Sequence, residues 1–332
     1  MSRLPPRRLS VAPMLDWTDR HFRYMARQIT ENAWLYSEMI NAGAIIYGDK
    51  DRFLMFNEGE QPVALQLGGS EPADLAKAAK AAEEYGYNEI NLNCGCPSPR
   101  VQKGAFGACL MNEVGLVADC LNAMQDAVDI PVTVKHRIGV DRQTEYGVAA
   151  EFVGTLYEKT ACRTFIVHAR NAWLDGLSPK ENREVPPLKY DYVYRLKQDF
   201  PELEIIINGG ITTNEQILEH LKHVDGVMVG REAYHNPMIM RDWDRLFYGE
   251  SSPPVEYADL VRKLYEYSRA QIQAGRGTIL RHIVRHSLGL MYGLKNARTW
   301  RRMLSDAALL KDNDGSLILD AWREVEKANI WE

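Results

Sequence analysis

The chain has 332 residues, of which 45% are apolar and 26% charged, and its formal net charge is −5. This length and apolar content suffice for one large folded domain plus a small one, so they exclude a mainly disordered protein. Its five scattered cysteines argue against a secreted disulfide scaffold, and the lack of about 18 consecutive apolar residues argues against a membrane span.

The beginning of the chain lacks the pattern of a signal peptide. Residues 1–10 contain arginines and prolines without an apolar segment, and Asp16 interrupts the first apolar stretch. We therefore expect neither a secretory signal nor a membrane anchor, and we expect a cytoplasmic protein.

Short apolar runs bounded by turn residues predict eight strands. In chain order they are 9–14, 35–40, 62–68, 89–94, 131–139, 165–170, 204–209 and 226–231. Helix-length segments such as 72–85 separate most of them, which indicates parallel pairing and an α/β fold, a closed (β/α)8 TIM barrel. The alternative is an open doubly wound sheet, but its usual early Gly-x-Gly-x-x-Gly turn is absent. After the sixth strand, the long segment 171–189, rich in proline and charge, is typical of a lid or binding loop.

The β pattern ends near Tyr248 and a linker-like segment follows, after which helical periodicity continues to Glu332. We therefore predict a barrel domain over 1–248 and a small all-helical domain over 249–332. Ten basic residues and one acidic residue lie within 261–304, so that stretch carries +9 and the remainder −14. This imbalance indicates a polyanionic partner for the helical domain, although exposed charge runs are usually only solvated helix faces.

Polar residues at the carboxyl ends of the predicted strands are the first candidates for a site, because barrel enzymes place their working residues there. These candidates are Pro13, Met14, Gln66, Asn91, Asn93, Cys96, Lys135, Arg137, His168, Arg170, Asn208, Gly209, Gly210, Gly230 and Arg231. The glycines follow strands seven and eight, where barrels usually bind phosphate, and they predict a phosphorylated cofactor. The plainer interpretation is that they only make tight turns.

Lys135 alternates with valines, so its side chain is expected inside the barrel, where it needs an anionic or polar partner. A reduced flavin carries negative charge that suits this lysine, Gln66 could pair with the pyrimidine edge of the flavin, and His168 could donate to its phosphate. A Schiff-base lysine and a structural ion pair are alternatives, but neither explains Gln66 or the glycine turns.

Cys96 lies in the sequence Cys-Gly-Cys-Pro just beyond the fourth strand, which places it in a loop. Cys94 and Cys96 form only a C-x-C pair without further ligands at metal spacing, so no metal site is expected. A disulfide between residues two apart would be strained. A proton-donating or nucleophilic thiol remains.

Seven motifs along the chain together resemble the tRNA-dihydrouridine synthases. They are Ala12-Pro-Met14, Gln66-Leu-Gly-Gly69, Asn91-Leu-Asn-Cys-Gly-Cys-Pro97, Val134-Lys-His-Arg-Ile-Gly139, Val167-His-Ala-Arg170, Asn208-Gly-Gly210 and Gly230-Arg231. The segments 177–184 and 297–302 further resemble the bacterial A subfamily, which modifies uridines 20 and 20a of the tRNA D-loop. The resemblance covers essentially the whole chain.

The resemblance implies an FMN-binding barrel that reduces uracil in tRNA to 5,6-dihydrouracil at the expense of NADPH, with the helical domain binding tRNA. Reduced FMN would give hydride to carbon 6 of a flipped uracil, and Cys96 would protonate carbon 5. It assigns FMN binding to Pro13, Met14, Leu15, Gln66, Lys135, His168, Asn208, Gly209, Gly210, Gly230 and Arg231. It assigns tRNA binding to Asn93, Lys180, Arg183, Arg298 and Arg301, and it implies no obligate protein partner and no membrane.

A proton donor fits this reaction chemically, since hydride addition to carbon 6 leaves negative charge at carbon 5, and a thiol with an ordinary pKa of ~8.5 is mostly protonated at neutral pH. Cys94 departs from the family pattern, which carries an apolar residue there. Two other functions stay open: an FMN barrel that reduces a free pyrimidine or enone, and a flavin-bearing RNA-binding scaffold.

Overall fold

The barrel predicted from the strand pattern is confirmed. The computed structural model describes residues 4–329, so the terminal residues 1–3 and 330–332 of the two predicted domains lie outside the description. Eight parallel strands pair in chain order and β8 returns to β1, which closes the barrel. The strands are β1 (Leu9–Val11), β2 (Trp34–Asn41), β3 (Val63–Gly68), β4 (Glu89–Cys94), β5 (Val132–Arg137), β6 (Thr164–His168), β7 (Glu204–Asn208) and β8 (Gly226–Val229).

Helices connect the strands and make up the rest of the described chain. In chain order they are α1 (Arg20–Arg27), α2 (Ala42–Tyr47), α3 (Lys50–Leu54), α4 (Pro72–Glu84), α5 (Pro99–Lys103), α6 (Val114–Ala127), α7 (Tyr146–Lys159), α8 (Tyr190–Asp199), α9 (Asn214–His220), α10 (Arg231–His235), α11 (Trp243–Tyr248), α12 (Tyr257–Gln273), α13 (Leu280–Val284), α14 (Ala297–Ser305) and α15 (Ser316–Glu326). Single 3-10 turns occur at Glu58–Glu60, Gly107–Asn112, Glu181–Arg183, Pro237–Asp242 and Leu309–Asp312.

The interior of the barrel has an apolar layer below a polar one. Large side chains from several strands form the apolar layer, among them Trp34, Tyr36, Ile166, Ile206 and Met228, all almost completely buried. Alternate residues of a strand share a face, so Gln66 lies on the same inner face as Ala64 of this layer, one step nearer the carboxyl end. Gln66 and the other polar side chains of the site therefore lie nearer the carboxyl ends of the strands than this apolar layer.

Contacts divide the chain into two compact units. The first comprises residues 4–15 and 33–230, and the second comprises 16–32 together with 231–329. The linker composition predicts a later boundary, after Tyr248, which is eighteen residues beyond Gly230. It also predicts that α1 belongs to the barrel domain. The difference arises because α1 packs against the C-terminal helices: Tyr24 stacks on Tyr267 with ring centroids 3.8 Å apart.

Asp19 joins the two segments of the second unit. Its carboxylate caps α1 by accepting from the backbone N–H groups of His21 and Phe22, and it lies 2.9 Å from Nε2 of His286. Burial alone would raise the pKa of Asp19, but the hydrogen bond and charge of His286 lower it below its usual range. Residues 16–32 are thus bound to the helical unit by charge as well as by ring stacking.

The helix α14 shows how the helical unit is built. Trp300 and Leu304, four residues apart, are buried, and the indole N–H of Trp300 donates to the carbonyl oxygen of Ser287 at 2.8 Å. Arg298 and Arg301 are exposed on the same helix. Throughout residues 4–329, no helix has the length and apolarity that crossing a membrane would require.

Candidate active site

Three amides meet inside the barrel near the carboxyl ends of β3 and β4. The side-chain Nε2 of Gln66 donates to Oδ1 of Asn91 at 2.8 Å, and Nδ2 of Asn93 donates to Oε1 of Gln66 at 2.9 Å. All three side chains are buried. An amide has two donor hydrogens and two acceptor lone pairs, so Gln66 retains one N–H and one lone pair. That pair of groups complements the imide edge of a pyrimidine or flavin ring.

Asn93 also fixes the loop that carries Cys96. Its Oδ1 accepts from the backbone N–H groups of Gly95 at 3.1 Å and Cys96 at 3.0 Å. On the other side, the carbonyl oxygen of Cys96 accepts from the N–H of Ala108 at 2.9 Å. The loop position expected from the sequence is therefore found, with the thiol partly exposed and its backbone held at two points.

Lys135 lies on the inner face of β5. It pairs in register with Asn93 of β4 and Ile166 of β6, and within the described part of the chain it forms no ion pair. Burial, and then the positive charge of Arg137, lower the pKa of Lys135 from 10.5 to about 7, while Cys96 acts in the opposite direction. A structural ion pair is thus not what holds this lysine, and an anion bound beside it would stabilise its charge.

Arg137 connects the Cys96 loop to the long segment after β6. Its Nε donates to the carbonyl oxygen of Gly95 at 3.2 Å, and its Nη1 donates to the carbonyl oxygens of Asn171 at 3.0 Å and Asn182 at 2.9 Å. Burial lowers the pKa of Arg137 to about 10, with contributions from Arg183 and Arg170. A buried guanidinium bound to neutral carbonyls keeps its charge available to an anion nearby.

His168 lies at the end of β6, where its Nδ1 is buried and has no hydrogen-bond partner in the described chain. Burial, and then the charges of Arg137 and Lys135, lower the pKa of His168 well below 6.5. Buried nitrogens are usually hydrogen-bonded in folded proteins, so this atom suits a hydrogen bond to a ligand.

The glycine turn after β7 lies close against His168. Gly209 and Gly210 have φ angles of +119° and +71°, a region that side chains rarely adopt, and a β-carbon on Gly209 would lie 3.2 Å from Cε1 of His168. After β8, a β-carbon on Gly230 would meet, among the described residues, only the β-carbon of Ala12 within 4 Å, at 3.8 Å. A side chain at residue 210 would collide with Leu188 at 2.7 Å, whereas the backbone at Gly230 borders open space.

The charges of this region fit an anionic cofactor. The largest charge effects on His168 come from four cations, Arg137, Lys135, Arg170 and Arg183. The unpartnered Nδ1 of His168 and the open backbone at Gly230 suit a phosphate, and the free hydrogen-bonding groups of Gln66 suit a ring edge. By contrast, the described chain contains no group of three or more His, Cys, Asp or Glu residues suited to a metal ion.

The remaining candidates lie in several places. Met14 is half-buried and Leu15 exposed just after β1, and Lys180 and Arg183 are exposed on the long segment, with Arg183 close enough to act on the charge of Arg137. Arg298 and Arg301 lie in the second unit, as does Arg231 at the start of α10.

Sequence reasoning missed three residues that support the site. Thr133 is buried beside Asn91 on the neighbouring strand, and Glu89 is buried two residues before Asn91. Asn182 holds the long segment together by accepting from the N–H of Trp173 at 2.7 Å. A polar residue at an inward position of an apolar strand was the available signal for Thr133 and Glu89. No local pattern marked Asn182.

The chain is similar to known proteins over most of its length. Residues 10–326 match the model of a family described as dihydrouridine synthase. A protein of Yersinia pestis named tRNA-dihydrouridine(20/20a) synthase is 57% identical over 304 residues, which cover 92% of this chain and 87% of that protein. A protein of the same name from Vibrio parahaemolyticus is 53% identical over 320 residues, which cover 96% and 97%.

Solved structures resemble the chain in fold alone. A 2-naphthoyl-CoA reductase complex aligns with a TM-score of 0.54 at 10% identity, covering 71% of this chain and 49% of the other. Morphinone reductase aligns with a TM-score of 0.51 at 13% identity, covering 76% and 88%.

Proposed function

This chain belongs to the dihydrouridine synthase family and is an enzyme that reduces uridines of tRNA to dihydrouridine, and we propose from that membership which of its residues do so. The names of its relatives point to positions 20 and 20a as the target uridines. The observation that carries the residue assignment is the Cys96 loop, which Asn93 binds and which lies close enough to Lys135 to act on its charge.

FMN is the proposed cofactor, with NADPH as the reductant. The phosphate would lie at His168, Gly209, Gly210, Gly230 and Arg231, and the ring would lie against Gln66 and Lys135, with Asn208, Pro13, Met14 and Leu15 completing the site. The unpartnered Nδ1 of His168 supports this placement, as does the lack of an ion pair at Lys135 among the described residues. When bound, the flavin supplies the hydride that carbon 6 of uracil must receive.

Cys96 holds the proton for carbon 5 of the uracil. Its backbone is fixed at two points while its thiol is partly exposed, so the sulfur can be presented to a base that enters the barrel mouth. A proton delivered there neutralises the charge left by hydride addition to carbon 6. Asn93 would orient both the loop and the base.

Binding of tRNA must offset the cost of extracting a stacked base, which is a few kcal/mol. We assign this binding to Lys180 and Arg183 in the first unit and to Arg298 and Arg301 in the second. All four are exposed, and phosphate contacts by such cations supply affinity that falls as salt rises.

A single-turnover assay tests the proposal against its two alternatives. The flavin-loaded protein is reduced with NADPH and mixed with unmodified tRNA or with free uridine, and dihydrouridine is quantified by mass spectrometry. Reduction of tRNA alone supports the proposal. Equal reduction of free uridine would indicate a small-molecule reductase, and binding of tRNA without reduction would indicate a scaffold.

A further inference from the structure

A continuous chain of buried hydrogen bonds runs through the barrel from the amino-terminal ends of the strands to the Cys96 loop. It begins at Glu89, the first residue of β4, whose carboxylate pairs with Arg7 and accepts from the hydroxyl of Tyr36 at 2.7 Å. The hydroxyl of Thr133 donates to the same carboxylate at 2.6 Å. The chain continues through Asn91 and ends at the amides already described.

The direction of every hydrogen bond in this chain follows from its first member. The carboxylate of Glu89, paired with Arg7, accepts the hydrogen of Thr133 at 2.6 Å, and the other acceptor of that hydroxyl, the carbonyl oxygen of Ile90, is farther away at 3.5 Å. With its only hydrogen given to an acceptor, Thr133 can only accept from Asn91, whose Nδ2 lies 2.8 Å away. Asn91 is left presenting Oδ1 to Gln66, and Gln66 in turn presents Oε1 to Asn93.

The last amide in the chain is the one that binds the Cys96 loop. Because Nδ2 of Asn93 is engaged with Gln66, its Oδ1 faces the N–H groups of Gly95 and Cys96, which need an acceptor. Reversing any one amide would oppose two donors or two acceptors at both of its ends. The members between Glu89 and Asn93 are at most 1% exposed, so water cannot repair such a mismatch.

We propose that Glu89, acting through Thr133 and Asn91, sets the amide orientations of Gln66 and Asn93 and thereby positions the Cys96 loop for the reduction of uridine. Thr133 and Asn91 are positioning residues, and this role rests on the proposed function of Cys96. We therefore expect removal of the Thr133 hydroxyl to slow a reaction that takes place at the opposite ends of the strands.

The test compares Thr133→Val with Thr133→Ser in the flavin-loaded, full-length protein. Valine keeps the shape of threonine without its hydroxyl, whereas serine keeps the hydroxyl. We expect kcat for dihydrouridine formation to fall about tenfold or more in Thr133→Val with KM for tRNA unchanged, and to recover with Thr133→Ser. Flavin content and thermal midpoint are measured on both variants.

A second readout does not depend on turnover. The rate of Cys96 alkylation by iodoacetamide, followed by peptide mass spectrometry, should rise in Thr133→Val as the loop loosens, and stay at the parent rate in Thr133→Ser. Cys109, also a partly exposed thiol, serves as the internal control and should not change.

Three results would overturn the proposal: parent rates in both variants, equal losses in both, or a loss in Thr133→Val that merely follows its flavin content. If the parent protein itself forms no dihydrouridine in tRNA, the proposed function fails. The alkylation contrast then still decides whether the hydrogen-bond chain positions Cys96.

Discussion

Gly107 lies against the carbonyl oxygen of Cys96. A β-carbon on residue 107 would come within 2.6 Å of that oxygen and within 2.5 Å of Cγ1 of Val101. Its φ angle is +79°, in the left-handed region. The turn before α6 and the thiol loop therefore fit together only while residue 107 has no side chain.

Replacing Gly107 by alanine should therefore disturb the loop. We expect Gly107→Ala to lower the free energy of unfolding by about 1–3 kcal/mol and to reduce dihydrouridine formation. Gly147→Ala is the matched control, because Gly147 lies in α7 and a β-carbon added there would meet no described atom within 4 Å, so it should be neutral or slightly stabilising. Urea unfolding of both variants measures the difference, and equal midpoints would contradict the prediction.

Removal of the Cys96 thiol should block the protonation step. We expect Cys96→Ala to slow single-turnover formation of dihydrouridine by about 100-fold or more, because a positioned general acid typically contributes that much. Flavin content should not change. Cys94→Ala is the control, since Cys94 is completely buried two residues away and should retain the parent rate. A Cys96→Ala variant as fast as the parent would show that another group donates the proton.

In the protein without flavin, Lys135 should make the free energy of unfolding depend on pH. The pKa of Lys135 is lowered to about 7 in the folded chain from 10.5, so between these values the unfolded chain binds more protons than the folded one. The free energy of unfolding contributed by Lys135 should therefore rise with pH across this window. Urea unfolding of the parent and Lys135→Met at several pH values measures it.

The matched control for Lys135 is Lys80→Met, at an exposed position of α4. The free energy of unfolding of Lys80→Met should change with pH in the same way as that of the parent. If the free energy of unfolding of Lys135→Met also changed with pH as that of the parent does between pH 7 and pH 10, the lysine would not be neutral in the folded protein.

Arg298 and Arg301 should contribute to tRNA binding through charge. We expect Arg298→Ala with Arg301→Ala to weaken binding and to reduce the slope of log Kd against log salt by about 1 for each phosphate that the variant no longer binds. Arg323→Ala with Lys327→Ala is the control, because these exposed residues, in α15 and just after it, pair with Asp320 and Glu324. Filter binding at several salt concentrations measures the slopes. A loss of flavin instead would point to a folding role.

Asp19 should stabilise the helical unit. We expect Asp19→Ala to lower its free energy of unfolding by about 1–3 kcal/mol, because the cap of α1 and the partner of His286 are removed together. Since the folded pKa of Asp19 is depressed, its contribution is present above the usual pKa of an aspartate and disappears as pH falls. Asp259→Ala, at an exposed position, should show neither effect. Circular dichroism between pH 7 and pH 3 follows both variants.

The sequence predicted the barrel well because each strand combines a buried apolar run with a short connection. Strand β4 was predicted at its observed bounds, Glu89–Cys94, and the other strands differ by a few residues at their ends. The predicted strands are too long where they include polar site residues such as Arg170, which follows the last paired residue of its strand.

The candidate site was predictable to the extent that strand ends carry unusual polar residues. Gln66, Asn93, Lys135 and His168 were named because they interrupt apolar strands, and the structure brings them to one end of the barrel. The partners of Arg137 and the membership of α1 could not be predicted, because both depend on contacts between segments far apart in the chain. Local periodicity carries no information about such contacts.

The second unit is assembled from residues 16–32 and 231–329, with the barrel strands β2 to β8 encoded between them. As the ribosome makes the chain, α1 emerges first but its partners Tyr267 and His286 emerge only after β8. Strand β1 likewise waits for β8 to close the barrel. Both units therefore become complete only late in translation, and a nascent chain stalled before residue 226 would leave α1 and β1 open to chaperones.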